Sequence, residues 1–341
     1  MSSADFMELL RLINGFQISQ AIHVAATVGV ADHLRDGPRT SEELASLTGT
    51  DAGALYRLLR ALAAVGVFEE HDQRRFSLTP LGDCLRSDSE TPAGPWASFI
   101  GRPYYWQSWG HLLHSVRTGE NAFQDLNGET VWQYRQQHPE EGGIFDRAMA
   151  GNSRGAVEAL IHAYDFSPFG HVADIGGGHG QTLAGILAAH PATRATLFDQ
   201  LHVISKAQAT LEKENLADRC HFIAGSFFDA VPAGADAYIL RMIIHDWEDQ
   251  EAIAILKNCR RAMAANAKLL LIEQVVGPPG EGAIIKFSDL NMMVSPGGAR
   301  ANARRICRPL RAIRLRAHTH HSSRPAHERG RSDSAMTPTA A

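Results

Sequence analysis

The segment Val172–Gly180 constrains the fold of this chain more than any other. A short apolar run ends there in clustered glycines, and a helix-like stretch, 182–190, follows. A second apolar run then ends at Asp199. Glycine is needed where a backbone turns sharply or lets a ligand approach closely. The order predicts strand, tight turn, helix and second strand, as in a nucleoside-binding α/β sheet.

The spacing of the glycines narrows the class of ligand. The loop reads Gly-x-Gly-x-Gly, whereas the dinucleotide fingerprint reads Gly-x-Gly-x-x-Gly, so the third glycine of that fingerprint is missing. The chain also has no phosphate-binding Gly-Lys-Ser/Thr. The acid at the tip of the second strand, Asp199, can accept hydrogen bonds from both ribose hydroxyls. The predicted cofactor is therefore a nucleoside without a pyrophosphate, S-adenosylmethionine. The alternative interpretation is a structural turn that binds nothing.

Composition places the chain among ordinary globular proteins. Its 341 residues suffice for about two domains, and 44% are hydrophobic and 21% charged. No apolar run reaches the roughly 18 residues of a membrane span, and the N-terminus lacks the features of a signal peptide. The four cysteines have neither disulfide nor zinc-site spacing. We therefore expect a cytoplasmic protein without membrane association and without a metal site.

The N-terminal region predicts a winged-helix arrangement. Residues 7–35 have a helical pattern of apolar positions, and Thr40 or Ser41 can cap the next helix. Asp51 can cap a third helix, and the alternating pattern over 67–78 predicts a small hairpin.

A winged helix invites a DNA-binding interpretation, which the charges do not favour. The helix that would read DNA offers only Arg57 and Arg60 as basic residues, and residues 36–75 are close to neutral. We therefore expect no specific nucleic-acid binding. The apolar N-terminal helices favour pairing of two chains, so we expect a homodimer.

The rest of the chain predicts an α/β fold. Residues 96–165 are rich in aromatic side chains and predict a helical, substrate-lining region. Strand and helix patterns then alternate, which is typical of a doubly wound parallel sheet with ligands at the carboxyl ends of the strands. The predicted organisation is a winged-helix-like dimerisation domain (1–95), a helical linker (96–165), a Rossmann-like cofactor-binding domain (166–298) and a disordered basic tail (299–341).

A histidine and two acids follow neighbouring strands of the predicted sheet. His245 lies just beyond an apolar strand, and an imidazole there is suited to take a proton from a hydroxyl group. Asp246 could support it or could cap the helix that starts near Glu248. Glu273 ends the next strand and could orient the same imidazole. Each could also be an ordinary loop or strand-end residue, but their place beside the glycine loop favours the functional interpretation.

Together these motifs resemble the cation-independent small-molecule O-methyltransferases, which include plant caffeic acid enzymes, hydroxyindole methyltransferase, and bacterial polyketide and phenazine enzymes. The resemblance spans about residues 15–298, and the bacterial branch is the most similar. It rests on the segments Ala21–Ala26, Leu58–Gly66, Leu78–Gly82, Asp174–Gly178, His245–Trp247 and Asp289–Gly298.

The resemblance implies roles for single residues. The cofactor would contact Ser153, Gly176, Gly178, Asp199, Ser226, Phe227 and Arg241. The residues that enclose the aromatic substrate would be Phe145, Met149 and Met292, although composition alone fits a core position for all three. His245 would be the general base, supported by Asp246 and Glu273. The implied reaction transfers a methyl group to a hydroxyl of a phenolic or polyketide-like secondary metabolite, without a metal.

Two departures from the family pattern keep alternatives open. Ser226 stands where the family usually has an acid that contacts adenine. After Gly298 the acid-Arg-Thr motif with a second glutamate for the histidine is missing, and residues 299–341 carry ten arginines instead. If the gene is read from the third base of the Arg300 codon, codon degeneracy permits Arg-Glu-Arg-Thr, which is the missing motif. We therefore hypothesise a change of reading frame. The alternatives are a C- or N-methyltransferase of the same fold, a catalytically impaired variant, and a winged-helix ligand-sensing regulator.

Overall fold

The structure, a computed structural model, describes residues 3–89 and 92–298, without the side chains of 152–155. The predicted basic tail and the reading-frame hypothesis concern residues 299–341, which lie outside the described part of the chain.

The N-terminal part combines helices with a small antiparallel sheet. Its elements are α1 (Ser3–Ile13), α2 (Gly15–Thr27), α3 (Val30–His33), β1 (Arg39–Thr40), α4 (Ser41–Thr48), α5 (Ala52–Ala64), β2 (Phe68–His71), β3 (Arg75–Leu78) and α6 (Pro80–Asp83). The strands pair in the order β1-β3-β2. This is the winged-helix-like arrangement that the sequence predicts.

Local sequence explains where these helices begin and end. Thr40, rather than Ser41, caps α4 in a reciprocal capping box with Glu43, and Asp51 accepts from the backbone N–H of Ala54 to cap α5. The helical pattern over 7–35 divides into three helices instead of one. Gly29 adopts a left-handed conformation (φ 72°) and so redirects the chain between α2 and α3.

A helical region follows, and then α/β alternation. The helices are α7 (Gly94–Ile100), α8 (Pro103–Gly110), α9 (Leu112–Thr118), α10 (Ala122–Asn127), α11 (Val131–Gln137) and α12 (Pro139–Ala163). The alternating elements are β4 (His171–Ile175), α13 (Gln181–Ala189), β5 (Arg194–Asp199), α14 (Leu201–Lys213), β6 (Cys220–Ala224), β7 (Ala237–Arg241), α15 (Asp249–Ala262), β8 (Lys268–Ile272) and α16 (Ala283–Val294).

The five C-terminal strands form one parallel sheet in the order β6-β5-β4-β7-β8. The central strands β4, β5 and β7 are buried along almost their whole length, because helices cover both faces of the sheet. The chain reverses its direction of winding at β4, and this opens a crevice at the carboxyl ends of β4, β5 and β7. The predicted fold class is confirmed.

An aromatic cluster, formed by α7, α8, α10, α11 and α12, lies between the two sheets in the chain. Its buried members include Phe99, Tyr104, Tyr105 and Phe123. Helix α12 packs on α7 at one side and on α13 of the α/β part at the other. The cluster therefore joins the N-terminal helices to the parallel sheet.

The first helices expose apolar side chains. Six large apolar residues of α1 and α2 are more than half exposed: Phe6, Met7, Leu9, Leu12, Ile13 and Phe16. Such a patch marks an interaction surface. Across the described residues, the helices are too short or too polar to span a membrane.

Candidate active site

The glycine loop after β4 forms a narrow cradle. Gly176, Gly178 and Gly180 all have positive φ values, of 74°, 57° and 82°. A Cβ on Gly176 would lie 2.6 Å from the Ile243 side chain, so a larger residue does not fit there. The loop thus combines a left-handed backbone with an approach open to a ligand.

Asp199 stands at the tip of β5 and contacts this loop directly. Its carboxylate accepts from the backbone N–H of Gly178 at 2.8 Å and of Gln200 at 2.7 Å. Burial raises the pKa of Asp199, and these two hydrogen bonds act in the opposite direction. The carboxylate is thereby held in a defined position beside the loop, as ribose recognition requires.

Asp174, the acid before the glycines, is a site residue that the sequence analysis did not single out. It is 1% exposed, and its Oδ2 has no hydrogen-bond partner within the part of the chain that the structure describes. Burial raises the pKa of Asp174 to about 7, although the positive charge of Arg241 lowers it. A charged residue inside a buried apolar strand was the available signal. His179, in the loop itself, also has a buried unpartnered Nε2.

The other predicted cofactor contacts surround the same crevice. Arg241 ends β7, and burial lowers its pKa while the charge of Asp174 raises it. The Ser226 hydroxyl accepts from the Phe228 N–H at 3.2 Å, so this serine holds its own turn. Phe227 packs edge-on against Trp247, with ring centroids 5.8 Å apart. The Ser153 side chain lies outside the described residues.

His245 and Glu273 form a buried pair beyond β7 and β8. The histidine Nδ1 lies 2.6 Å from Glu273 Oε2, and the other carboxylate oxygen accepts from the Ile244 N–H at 2.9 Å. The two side chains are 5% and 1% exposed. Both oxygens of Glu273 are therefore used to hold one short turn, and the pair occupies Nδ1 of His245.

Asp246 is the second acid at this imidazole. Its Oδ1 lies 3.2 Å from His245 Nε2. The alternative role for Asp246, capping the next helix, is wrong, because Glu248 caps α15. Burial lowers the pKa of His245, but the hydrogen bonds and charges of Asp246 and Glu273 outweigh burial and raise it to about 9.

A strained backbone residue positions this turn. Met242 has a φ of 59°, which is unfavourable for a residue with a side chain, and its N–H donates to Ile272 O at 2.9 Å. The bond to β8 holds the chain where it leaves β7. The following residues can then turn back so that His245 meets Glu273.

The predicted substrate-lining residues belong to the aromatic cluster and to α16. Phe145 and Met149 pack in the cluster, and the Phe145 ring lies 5.7 Å from the Trp132 ring. Met292 is 3% exposed on α16, and its neighbour Asn291 accepts from the Tyr105 hydroxyl at 2.6 Å. Trp132 also stacks on Trp247, two residues after His245, at 5.9 Å.

One group of side chains in the described residues has the composition of a metal site. It consists of His111, which precedes α9, His114 in α9 and Asp125 in α10. The expectation of an active site without a metal stays a prediction.

The site can bind a nucleoside in the crevice and present a basic nitrogen to an aromatic molecule beside it. The tight glycine turn, the ribose-compatible Asp199 and the unpartnered Asp174 oxygen fit a nucleoside that also carries positive charge.

Family models and single relatives match this chain over most of its length. Residues 109–310 match the model of an O-methyltransferase domain, and residues 10–88 match an O-methyltransferase dimerisation domain. The phenazine O-methyltransferase PhzM of Lysobacter antibioticus is 43% identical over 296 residues, which cover 86% of this chain and 86% of that protein. The domain match continues past Gly298, where we expected the resemblance to end.

Solved structures agree in fold. The crystal structure of LaPhzM has a TM-score of 0.87 and 41% identity, covering 90% of this chain and 92% of that chain. NcsB1, an O-methyltransferase from neocarzinostatin biosynthesis, was crystallised with S-adenosylmethionine and 2-hydroxy-5-methyl naphthoic acid. It has a TM-score of 0.75 and 33% identity, covering 87% and 90% of the two chains.

Proposed function

We propose, from the premise that this chain belongs to the family of S-adenosylmethionine-dependent O-methyltransferases, that His245 is its general base and that its acceptor is a hydroxyl on a small aromatic molecule. The observation that carries this assignment is the buried His245–Glu273 pair at 2.6 Å, beyond the strands that border the glycine loop.

The cofactor would be bound by the crevice residues. Asp199 would accept from its ribose hydroxyls, Gly176 and Gly178 would let the backbone approach it, and Asp174 would compensate its positive charge. When bound, S-adenosylmethionine supplies an electrophilic methyl group that an oxygen nucleophile can accept. The chain's own residues then have to align the acceptor and remove its proton.

His245 is arranged to take that proton at Nε2. Glu273 accepts at Nδ1, which fixes the tautomer and stabilises the imidazolium that forms. Asp246 also contacts Nε2, so it favours the charged ring and competes with the acceptor for the same nitrogen. The two carboxylates together make the imidazole a stronger base than a free histidine, at the cost of keeping it protonated near neutral pH.

The aromatic cluster supports the choice of acceptor. Phe145, Trp132 and Trp247 have half-buried rings that contact one another in series, and Trp247 follows His245 by two residues. Such a set of rings suits a flat aromatic molecule. The relatives named above act on a phenazine or bind a naphthoic acid, and both are fused aromatic ring systems. We extend that substrate class to this chain.

Rival functions lead to different products. A C- or N-methyltransferase of the same fold would place the new methyl group on another atom, which mass spectrometry with NMR of the product distinguishes. A ligand-sensing regulator would bind DNA with a strong dependence on salt concentration. The near-neutral winged helix does not favour it.

We also propose a homodimer located in the cytoplasm. The match to a dimerisation domain and the exposed apolar residues of α1 and α2 support pairing.

Asp199→Asn should weaken S-adenosylmethionine binding about 10- to 100-fold, because a charge-assisted hydrogen bond to ribose becomes a neutral one. Isothermal titration calorimetry of the full chain measures this change. The control is Asp218→Asn, an exposed acid ahead of β6, which should bind as wild type. Equal affinity of all three proteins would contradict the role of Asp199.

His245→Gln should lower kcat for methyl transfer about 100- to 10,000-fold, because the general base is lost. Its affinity for S-adenosylmethionine should stay within a few-fold of wild type, since the glycine loop is intact. Radiolabel transfer to a phenol panel, with His221→Gln as the exposed control, tests this. A variant that retains wild-type kcat would rule His245 out as the base.

The kcat/KM of the wild type should rise with pH up to about 9, because the neutral imidazole is the base and the pKa of His245 is raised to about 9. Glu273→Gln removes a charge that raises this pKa, so the rising limb should move to lower pH while its maximum falls. A pH–rate profile measures both effects, with exposed Glu281→Gln as the control. An unmoved limb would contradict the pairing.

Leu12→Asp should convert the dimer to a monomer, because a charge would be buried in the apolar surface of α1. Light scattering after size exclusion measures the mass. Leu113→Asp is the matched control, since Leu113 is 58% exposed and Leu12 61%, but Leu113 lies outside the dimerisation domain. A monomeric wild type, or an unchanged variant, would contradict the proposal.

A further inference from the structure

Two hydrogen-bond donors of helix α11 are buried without a partner among the described residues. They are the Trp132 indole Nε1–H and the Arg135 Nη1. Residues three apart lie on the same face of a helix, so both donors belong to one surface of α11. Buried donors are almost always satisfied in proteins, and two neighbouring exceptions indicate a ligand group.

Arg135 is a buried cation in an aromatic surrounding. It is 7% exposed, and its guanidinium carbon lies 3.6 Å from the Phe145 ring centroid and 5.2 Å from that of Trp132. Its Nε donates to the Tyr104 hydroxyl at 3.2 Å. The ring contacts offset part of the cost of burying the charge, but they do not satisfy the remaining N–H groups.

No carboxylate of the described residues forms an ion pair with Arg135. The nearby Arg102 differs, because its Nε donates to both oxygens of Glu141 at 3.0 and 2.9 Å. Glu141 is therefore already paired with Arg102. A buried cation without a counter-ion is costly, and a carboxylate supplied by a ligand would remove that cost.

Both donors belong to residues that contact Phe145, which is predicted to enclose the acceptor. The Trp132 ring contacts Phe145, the predicted substrate wall, and stacks on Trp247 beside His245. We propose that Trp132 and Arg135 form a subsite that binds a carboxylate on the aromatic acceptor, so that the preferred substrate is an aromatic hydroxy acid. This inference rests on the proposed function, because it assigns the acceptor of the same active site.

A carboxylate fits the donors better than a neutral phenol oxygen does. A guanidinium presents parallel N–H groups that match the two oxygens of a carboxylate, and the indole N–H adds a third donor. The flanking rings of Phe145 and Trp132 suit the arene that carries it. A neutral phenol has no group to neutralise Arg135.

The test compares hydroxynaphthoate isomers with the naphthols that lack the carboxylate. Wild type should methylate at least one acid with a higher kcat/KM than its naphthol. Arg135→Met should lower kcat/KM for that acid about 10- to 100-fold and leave the naphthol within about three-fold. Arg117→Met, an exposed arginine of α9, is the matched control and should change neither. A wild type without preference for any acid, or equal losses on both acceptors in Arg135→Met, would overturn the proposal.

Two further variants separate the subsite from a structural role. Arg135→Lys keeps the charge and should retain part of the acid preference. Trp132→Phe keeps an aromatic ring but removes the indole N–H, so it should reduce the acid preference. Thermal unfolding checks that each variant is folded. If Arg135→Met does not fold, a Trp132→Phe protein with undiminished acid preference would overturn the proposal.

Binding of naphthoate, which has no hydroxyl to methylate, separates this inference from the proposed function. Naphthoate should bind wild type more tightly than Arg135→Met by calorimetry, whether or not methyl transfer is observed. Acid binding that depends on Arg135 without any methyl transfer would contradict the proposed function alone. Methyl transfer with naphthoate affinity equal in both proteins would contradict the subsite alone.

Discussion

A single buried carboxylate organises the catalytic end of this protein. The side chain of Glu273 has almost no exposed surface, so each of its oxygens requires a donor inside the protein. It finds them in the Ile244 N–H and the His245 ring, both in the short turn after β7. One side chain at the end of β8 thus fixes the backbone and the imidazole of the neighbouring strand's loop. The strained Met242 is tolerated because this turn is held from both sides.

The order of the parallel strands places the remaining charges around the same crevice. Because β4 is central, the acids of β4 and β5 and the arginine at the end of β7 meet at one edge. Burial makes each of their charges costly. It raises the pKa of Asp174 to about 7, even though the charge of Arg241 lowers that pKa. A ligand with positive charge and ribose hydroxyls would satisfy Asp174 and Asp199 together. The crevice residues and His245 are therefore positioned by one feature, the switch point of the sheet.

The aromatic cluster gives the enzyme a second layer with its own chemistry. Helix α12 packs on the N-terminal α7 and on α13, and its Phe145 ring lies in the aromatic cluster. Within this apolar layer Arg135 is the exception, since its charge is surrounded by rings rather than by acids. The proposed division of roles places methyl transfer at the sheet and the choice of aromatic acceptor in the helical layer.

Local patterns were sufficient to predict the fold class, the glycine loop and the acids at the strand ends, because periodicity, turn chemistry and strand position are local properties. The sequence predicted Asp51 as a cap, but it left Thr40 and Ser41 as alternatives for the cap of α4. The helical pattern over 7–35 did not show the break at Gly29, which has a left-handed backbone. The tertiary structure was needed to show that Glu273 binds His245 with one oxygen and Ile244 with the other, and that Glu248 rather than Asp246 caps α15. It also revealed the unsatisfied groups of Asp174, Trp132 and Arg135. Burial and missing partners arise from segments far apart in the chain, and no local pattern records them.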